Sequence, residues 1–446
     1  MLDRVLIPFF LLLVLPDAYL YFAYLRNWLE QRKKHSSDSE SDGFPSDYSN
    51  SVSDEKTQKD TFSRLQAAFT WKNLRQSTFF SIPTLILLLP TIFLFFYFLI
   101  VYGTDDMRAN HQASVGLFVF IFLLITGPKI LFTIADCIGI AIARWKPSIR
   151  RYLRIFAMTL SLCAIIILCY GFFKGRSRFM VHQQVFYFSN LPEEFDGYRI
   201  ALFSDIHLGT FNDGHEKDVE TIVNLINNQQ CDVILFAGDL VNYETKEALP
   251  YESTLGTLKA HDGVYAILGN HDYSNYIRQP EAERNRDLKA LHQLESKLNW
   301  KILMNANHVI RRGNDSIAII GSENQGLPPW PARGDLKAAS KGLQDVYSTD
   351  STLAHTFSVL LTHDPTHWRR NVLPETNIDL TLSGHTHGGQ FKIFGWSPVA
   401  HRYSEWSGAY SEGSQIICVS DGIGTIFFPF RFGAWPEVNV ITLRKN

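Results

Sequence analysis

Four long apolar stretches crowd into the front of this chain, and they limit what it can fold into more than any other feature. Residues 2–25, 79–102, 115–143 and 152–173 are each long enough to cross a hydrocarbon layer of about 30 Å. Inside lipid only a helix or a closed barrel satisfies its own backbone, so residues 1–178 are expected to form an all-α, four-helix transmembrane region with the lipid bilayer as partner. Whole-chain figures hide this, because a net charge of −2 over 446 residues averages an apolar front with a polar remainder. That balance shows no basic excess, and no nucleic-acid partner is expected.

The first stretch lacks a basic n-region and a small-x-small cleavage site and is followed by three more spans, so it reads as an anchor and not a cleaved leader. Pro8, Pro16 and Pro128 are kinks that neighbouring helices tolerate. Lys129 reads as snorkelling or as half of an internal ion pair. For Asp17 and Asp136 that reading and a polar path through the bundle both stay open. Arg26, Arg32, Lys33, Lys34, Lys72 and Arg75 in the first loop, and Arg144, Lys146, Arg150, Arg151 and Arg154 in the third, place those loops in the cytoplasm by the positive-inside rule. The chain after residue 173 then lies outside, although Lys174, Arg176 and Arg178 argue the other way. Residues 35–60, rich in Ser and Asp, are expected to be disordered. Cys231 and Cys418, the two cysteines beyond the spans, sit beside apolar runs and are expected as buried free thiols.

From residue 182 to 446 the pattern becomes short apolar runs separated by helical stretches. Residues 199–204, 233–237 and 264–268 read as strands, 216–227 and 246–260 as helices between them, which implies a largely parallel sheet covered by helices. Ligands of such sheets bind beyond the carboxyl ends of the strands. There the chain places Asp205-Ile206-His207, Gly238-Asp239 and Gly269-Asn270-His271-Asp272. Two later runs, 356–361 and 378–382, lead into His363-Asp364 and Gly384-His385-Thr386-His387-Gly388-Gly389-Gln390. Each motif alone is weak, since Asp-x-His and Gly-Asp are routine in turns and caps. Five strand ends delivering such side chains to one rim point to a metal site.

Asp, His and Asn without Cys suit manganese, iron, zinc or magnesium and disfavour a closed thiolate zinc site. Seven candidate ligands exceed the needs of one ion and suggest two divalent ions, with Mn, Fe or Zn foremost, sharing a carboxylate. Ions about 3.5–4 Å apart activate water and clamp the oxygens of an in-line displacement, which suits phosphate ester hydrolysis.

In order and spacing these five blocks resemble the calcineurin-like metallophosphoesterase superfamily over residues 196–446. The tail around 421–437 looks like a membrane-anchored bacterial phosphodiesterase branch that carries the Gly-His-Thr-His-Gly-Gly-Gln signature. The resemblance implies a four-layer α/β sandwich of two mixed β-sheets flanked by helices. It implies one metal held by Asp205, His207, Asp239 and His387, and another held by Asp239, Asn270, His363 and His385. It also implies a catalytic His271 positioned by Asp272. A phosphorylated small molecule or lipid as substrate, and a bacterial inner-membrane location with the catalytic domain outside the cytoplasm, are further expectations; a nucleoside-diphosphate-lipid pyrophosphatase facing the cytoplasm and a non-catalytic receptor for a phosphate ligand are the alternatives.

Arg431 reads equally as a bidentate ligand of substrate phosphate or as a surface ion-pair partner. Gly388, Gly389 and Gln390 read as turn-shaping, and His215 and His401 as structural. Residues 281–300, with Leu288, Leu291, Leu294 and Leu298 at helical spacing, read as a packed surface helix, and residues 326–330 as a loop over the pocket.

Overall fold

The computed structural model describes residues 2–38, 81–103, 109–143, 147–212, 214–277, 279–327, 332–348 and 354–446. Lys72, Arg75, Arg144, Lys146, residues 328–330 and most of the Ser-rich stretch lie outside them. The chain forms two compact units, one of residues 1–104 with 118–166 and the other of residues 105–117 with 167–446.

Helices Leu2–Leu20, Ile82–Gly103, Ala109–Ala143 and Pro147–Phe173 account for the four apolar stretches, and all four helices are long and apolar enough to cross a membrane. The first helix does not stop at residue 25. It passes through a π-helical turn, Tyr21–Leu25, and continues over Arg26–Asp38, so the beginning of the expected disordered segment is helical. Within the first unit Lys129 donates to Asp17 at 2.6 Å, and Thr91 donates to the same carboxylate at 2.5 Å. Asp136 accepts from Arg150 and Arg154, each at 2.8 Å, and from Tyr19 and Tyr24. The internal ion-pair reading of Lys129 is therefore what the structure shows, and both buried aspartates are fully partnered, which lowers the cost of charge in an apolar setting.

The second unit is built on two six-stranded sheets. The first has β1 (Met180–Phe188), β12 (Glu437–Lys445), β2 (Arg199–Phe203), β3 (Val233–Phe236), β4 (Val264–Ala266) and β5 (Trp300–Ile302), in that spatial order. The second has β10 (Gly408–Glu412), β11 (Gln415–Val419), β9 (Leu380–Ser383), β8 (Ser358–Leu361), β7 (Asp315–Gly321) and β6 (Ala306–Arg312). Both sheets are mixed: β12 runs antiparallel to β2, as β10 does to β11 and β6 to β7, while the other pairs are parallel.

Alternation along the strands explains the layers. Ile200, Leu202, Val233 and Leu235 point between the sheets, where they meet Ile317, Ile319, Val359 and Leu382. Ala201, Phe203, Ile234 and Phe236 point outward to Val219, Ile222, Leu291 and Leu294 of helices Glu216–Asn227 and Glu281–Lys297. On the far side Ala318, Ile320 and Leu360 pack on Trp368 and Val372. Strands buried on both faces read as continuous apolar runs, as these do. Helix Glu281–Lys297 is thus a packing element. The helix expected over 246–260 does not form as one piece. Two 3₁₀ turns and a single α turn, Glu252–Leu255, replace it, because Pro250 has no N–H for the bond to Lys246 that a continuous helix needs.

Candidate metal centre

The five motif blocks follow β2, β3, β4, β8 and β9, so the parallel strands of both sheets send their carboxyl ends to one place. The chain turns sharply there. Asp205, His207, Asp239, His385 and His387 have positive φ of 51°, 46°, 61°, 73° and 53°, a region costing about 1–3 kcal/mol for residues with a Cβ. Strain on five ligand-type residues marks a site whose side-chain directions matter more than local comfort. Gly384 answers to close approach: a Cβ there would stand 2.3 Å from Oδ2 of Asp205.

The side chains gather into overlapping groups, Asp205 with His207 and His387, and Asp239 with His363 and His385; His271 forms a third with His207 and Asp239. Nε2 of His207 and Nε2 of His387 face each other at 3.2 Å, and Oδ1 of Asp205 lies 3.4 Å from the latter. In the second group Nδ1 of His385 and Nε2 of His363 are also 3.2 Å apart. Oδ2 of Asp239 stands between the groups, 3.5 Å from Nε2 of His207 and 3.2 Å from Nε2 of His363. Spacings of this size fit side chains that share an ion at bonds of about 2.0–2.2 Å. Asn270 donates its amide to Tyr276 at 2.5 Å, while its Oδ1 is buried without a hydrogen-bond partner among the described residues. A buried acceptor left this way costs free energy unless a cation meets it, so the donor set fits divalent ions.

Outer contacts orient the rings of His363 and His385, as metal-binding histidines require, while Nδ1 of His207 has no partner among the described residues. His363 donates from Nδ1 to the Ala237 carbonyl at 2.8 Å, and His385 meets the Tyr403 hydroxyl through Nε2 at 3.0 Å. His271 spends Nδ1 on the Asn242 carbonyl at 2.7 Å, leaving its other nitrogen for the cleft it lines. The Asn242 loop is held in turn by the buried Glu247, which accepts from the backbone N–H groups of Asn242, Tyr243 and Glu244.

Two expected roles change. Asp272 does not touch the imidazole of His271. Its buried carboxylate accepts from the backbone N–H groups of Asp239, Leu240, Val241 and Gly269 at 2.8–3.2 Å, so it is a positioning residue for the Asp239 loop and not a catalytic one. Arg431 is fully buried, which excludes a surface ion pair, and it does not face the cleft. Its donors go to the carbonyls of Gly424, Asp421 and Ala434, and Nη2 lies 3.1 Å from Nδ1 of His387. With four of its five N–H groups engaged in this buried setting, it is not placed to fork onto a phosphate in the cleft. Asn242, Glu247, Tyr276 and Tyr403 are the residues that sequence reasoning missed; their hydroxyls, carbonyl and carboxylate act from turns that carry no motif. His401 is exposed and edges onto Trp396, and His215 precedes helix Glu216–Asn227.

Electrostatics sort the ligands. Burial pulls His207 down to about 3 and His385 to about 4, and with His207 and Arg431 beside it pulls His387 well down; all three are held neutral, the form that binds metal. Burial also pulls on His363, but the Asp239 and Asp205 carboxylates outweigh it and push the group up to about 10. Burial and Asp239 push Asp205 up to about 6, against the pull of His363. Asp239 feels the same burial, yet the surrounding histidines hold it well below the carboxylate range.

The family model for calcineurin-like phosphoesterases matches residues 198–389, the span that holds these blocks. An uncharacterized metallophosphoesterase of Bacillus subtilis, YkuE, is 30% identical over 270 residues, covering 58% of this chain and 83% of that protein. A transmembrane protein with metallophosphoesterase domain from Danio rerio is 27% identical over 57% of this chain and 55% of its own length. A putative metallophosphoesterase of Caenorhabditis elegans, F40B5.2, is 26% identical over 81% of this chain and 73% of its own.

Proposed function

Because the chain belongs to the calcineurin-like metallophosphoesterases and is thereby a phosphoric ester hydrolase, we propose a membrane-anchored enzyme that works with two divalent ions on a phosphate ester or pyrophosphate bond of a lipid or cell-envelope substrate. One observation carries the dinuclear reading: Oδ2 of Asp239 is shared, at 3.5 and 3.2 Å, between His207 of one group and His363 of the other. Asp205, His207, Asp239 and His387 would hold one ion, and Asp239, Asn270, His363 and His385 the second. When bound, such a pair activates water near neutral pH and neutralises charge on the oxygens of an in-line displacement. His271, oriented by Asn242, hands a proton to the leaving oxygen, and Asp272 and Arg431 hold Asp239 and His387 in place from behind. Manganese, iron and zinc all suit the donor set.

The bacterial inner membrane, with the four helices as spans and the catalytic unit on the outer side, is the proposed setting. The exposed Lys174 and Arg178 just after the last span favour a second reading, a nucleoside-diphosphate-lipid pyrophosphatase on the cytoplasmic face. Detergent-purified protein loaded with Mn or Zn is expected to hydrolyse bis-p-nitrophenyl phosphate and at least one envelope lipid phosphate; no turnover of any ester would contradict the reading. Alkaline phosphatase fused after Phe173 is expected to be active. Fluorescence from a green fluorescent protein fused there, with no phosphatase activity, would move the site to the cytoplasm.

A further inference from the structure

The cleft over the His and Asp cluster has a volume of about 440 Å³, and its lining includes Val399, Ile426 and Tyr403. Ile426 is tied to the signature turn: Gln390 accepts from its N–H at 2.7 Å and donates to its carbonyl at 3.2 Å. Two segments then run side by side, Lys392 donating to the Phe432 carbonyl at 2.7 Å and Phe432 to that of Gln390 at 2.9 Å. Three rings stand out from these segments into open space, Phe394 at 101%, Phe427 at 65% and Trp396 at 47% exposure. Rings left bare in water beside a cleft mark a surface that something covers.

The other side of the same loop packs on the ends of two apolar helices. A Cβ on Gly116 would stand 2.6 Å from Cδ of Pro429, and one on Gly171 would stand 2.3 Å from Cε2 of Phe430. Arg431 donates its backbone N–H to the Gly171 carbonyl at 3.2 Å, and the rings of Phe432 and Trp435 meet Tyr170 at 6.2 and 6.0 Å. Gly116 lies near the start of the apolar helix over 113–143, and Tyr170 and Gly171 near the end of the one over 148–177. These helix ends belong to the same compact unit as both sheets. Arg178 lies over the Trp435 ring at 4.7 Å, and Lys174 is exposed beside it. Aromatic rings and long cations at the ends of apolar helices are the composition of a bilayer interface.

We infer that the cleft rim is a bilayer-docking surface. Phe394, Trp396 and Phe427 enter the interfacial zone of the leaflet in which these two helices end, and the cleft receives a phosphate ester whose lipid tail stays in that leaflet. The substrate half rests on the hydrolase reading above; the docking half does not.

The test uses the full chain in phosphatidylglycerol/phosphatidylethanolamine vesicles, with the exposed Cys137 and Cys163 and the half-exposed Cys169 replaced by Ser. Spin labels are placed at Phe394→Cys, Phe427→Cys and His261→Cys. His261 is exposed and precedes β4, at the end of the strand away from the cluster. Labels at 394 and 427 are expected to collide with oxygen and be shielded from a water-soluble nickel complex, with the opposite at 261. Nickel access at 394 and 427 equal to that at 261 overturns docking, and so does shielding from both reagents, which would mean a protein partner on the rim. In the same vesicles F394S/F427S is expected to lower kcat/KM for a lipid-borne phosphate ester at least tenfold while leaving bis-p-nitrophenyl phosphate within twofold. Equal loss on both substrates, or no loss on the lipid, overturns the substrate half. Submerged labels on a protein that hydrolyses neither substrate would leave docking standing and sink the hydrolase reading.

Discussion

Arg431 sets Nη2 3.1 Å from Nδ1 of His387, with Nε and Nη1 closed onto three backbone carbonyls. The guanidinium packs behind His387, one of the proposed ligands, and burial drags it down to about 10. Arg431→Lys is expected to weaken binding of one metal about 10–100-fold, the usual cost of losing an outer contact to a ligand, and to leave KM unchanged once metal is saturating. A raised KM at saturating metal would restore the role of phosphate ligand.

Asp272 leads to a different expectation. Replacing it with Asn turns one acceptor into a donor against four backbone N–H groups and should destabilise the folded unit by about 1–3 kcal/mol. Because it does not touch the His271 ring, the limbs of the pH–kcat/KM profile should stay in place in D272N. A shifted limb would show that it tunes His271 directly.

Proton and metal compete for the same atoms. Held up to about 10 by its two carboxylates, His363 carries a proton at neutral pH in the metal-free protein, and Asp205, up to about 6, gains one as the medium turns acidic. Metal uptake at pH 7 is therefore expected to release a proton, about one per chain, and affinity to fall as pH drops through 6. Isothermal titration in buffers of different ionisation enthalpy reads the release; an enthalpy independent of buffer would contradict it.

Glu295 is buried on helix Glu281–Lys297, and neither carboxylate oxygen has a hydrogen-bond partner among the described residues. Burial first and Asp272 second raise its pKa well above the ordinary value. An acid raised on folding favours the folded state only while protonated, so its contribution is intact at low pH and is lost as pH rises toward the folded value. Glu295→Gln should stabilise the protein by about 1–3 kcal/mol at pH 8 and much less at pH 5. Thermal unfolding at both values checks this, and an equal gain at both would refute it.

In the first unit, Lys129→Met would leave Asp17 buried with its charge uncompensated. Such a break costs about 3–5 kcal/mol, and the yield of folded, monodisperse protein in detergent should drop. D17N/K129M, which removes both charges, should recover it. A single variant as well behaved as the parent would mean that the pair at 2.6 Å contributes nothing.

Much of this was legible in the sequence, and the remainder was hidden for physical reasons. Asp205, Asp239, Asn270, His363 and His387 could be placed on one rim because the carboxyl ends of parallel strands share an edge, so order along the chain becomes proximity in space. β1 and β12, nine residues each and paired throughout, were missed because they lie some 250 residues apart and only tertiary pairing joins them. Arg431 carried a charge and stood near a family-like tail, which suggested a substrate role; nothing local says that its donors are spent on carbonyls. The break at Pro250 is readable from the ring's missing N–H, whereas the Tyr403 and Tyr276 contacts arise from turns whose geometry no short motif encodes.

The proposed two-metal centre depends on one oxygen of Asp239 reaching both ions. The most direct test is metal content and turnover of the purified chain beside Asp239→Asn. Two divalent ions per parent chain are expected, with weakened retention at both sites in the variant and hydrolysis of bis-p-nitrophenyl phosphate lowered at least about 10³-fold, on the scale of losing a transition-state electrostatic contact. A variant that keeps one ion at full affinity and turns over within tenfold of the parent would contradict the shared-carboxylate centre.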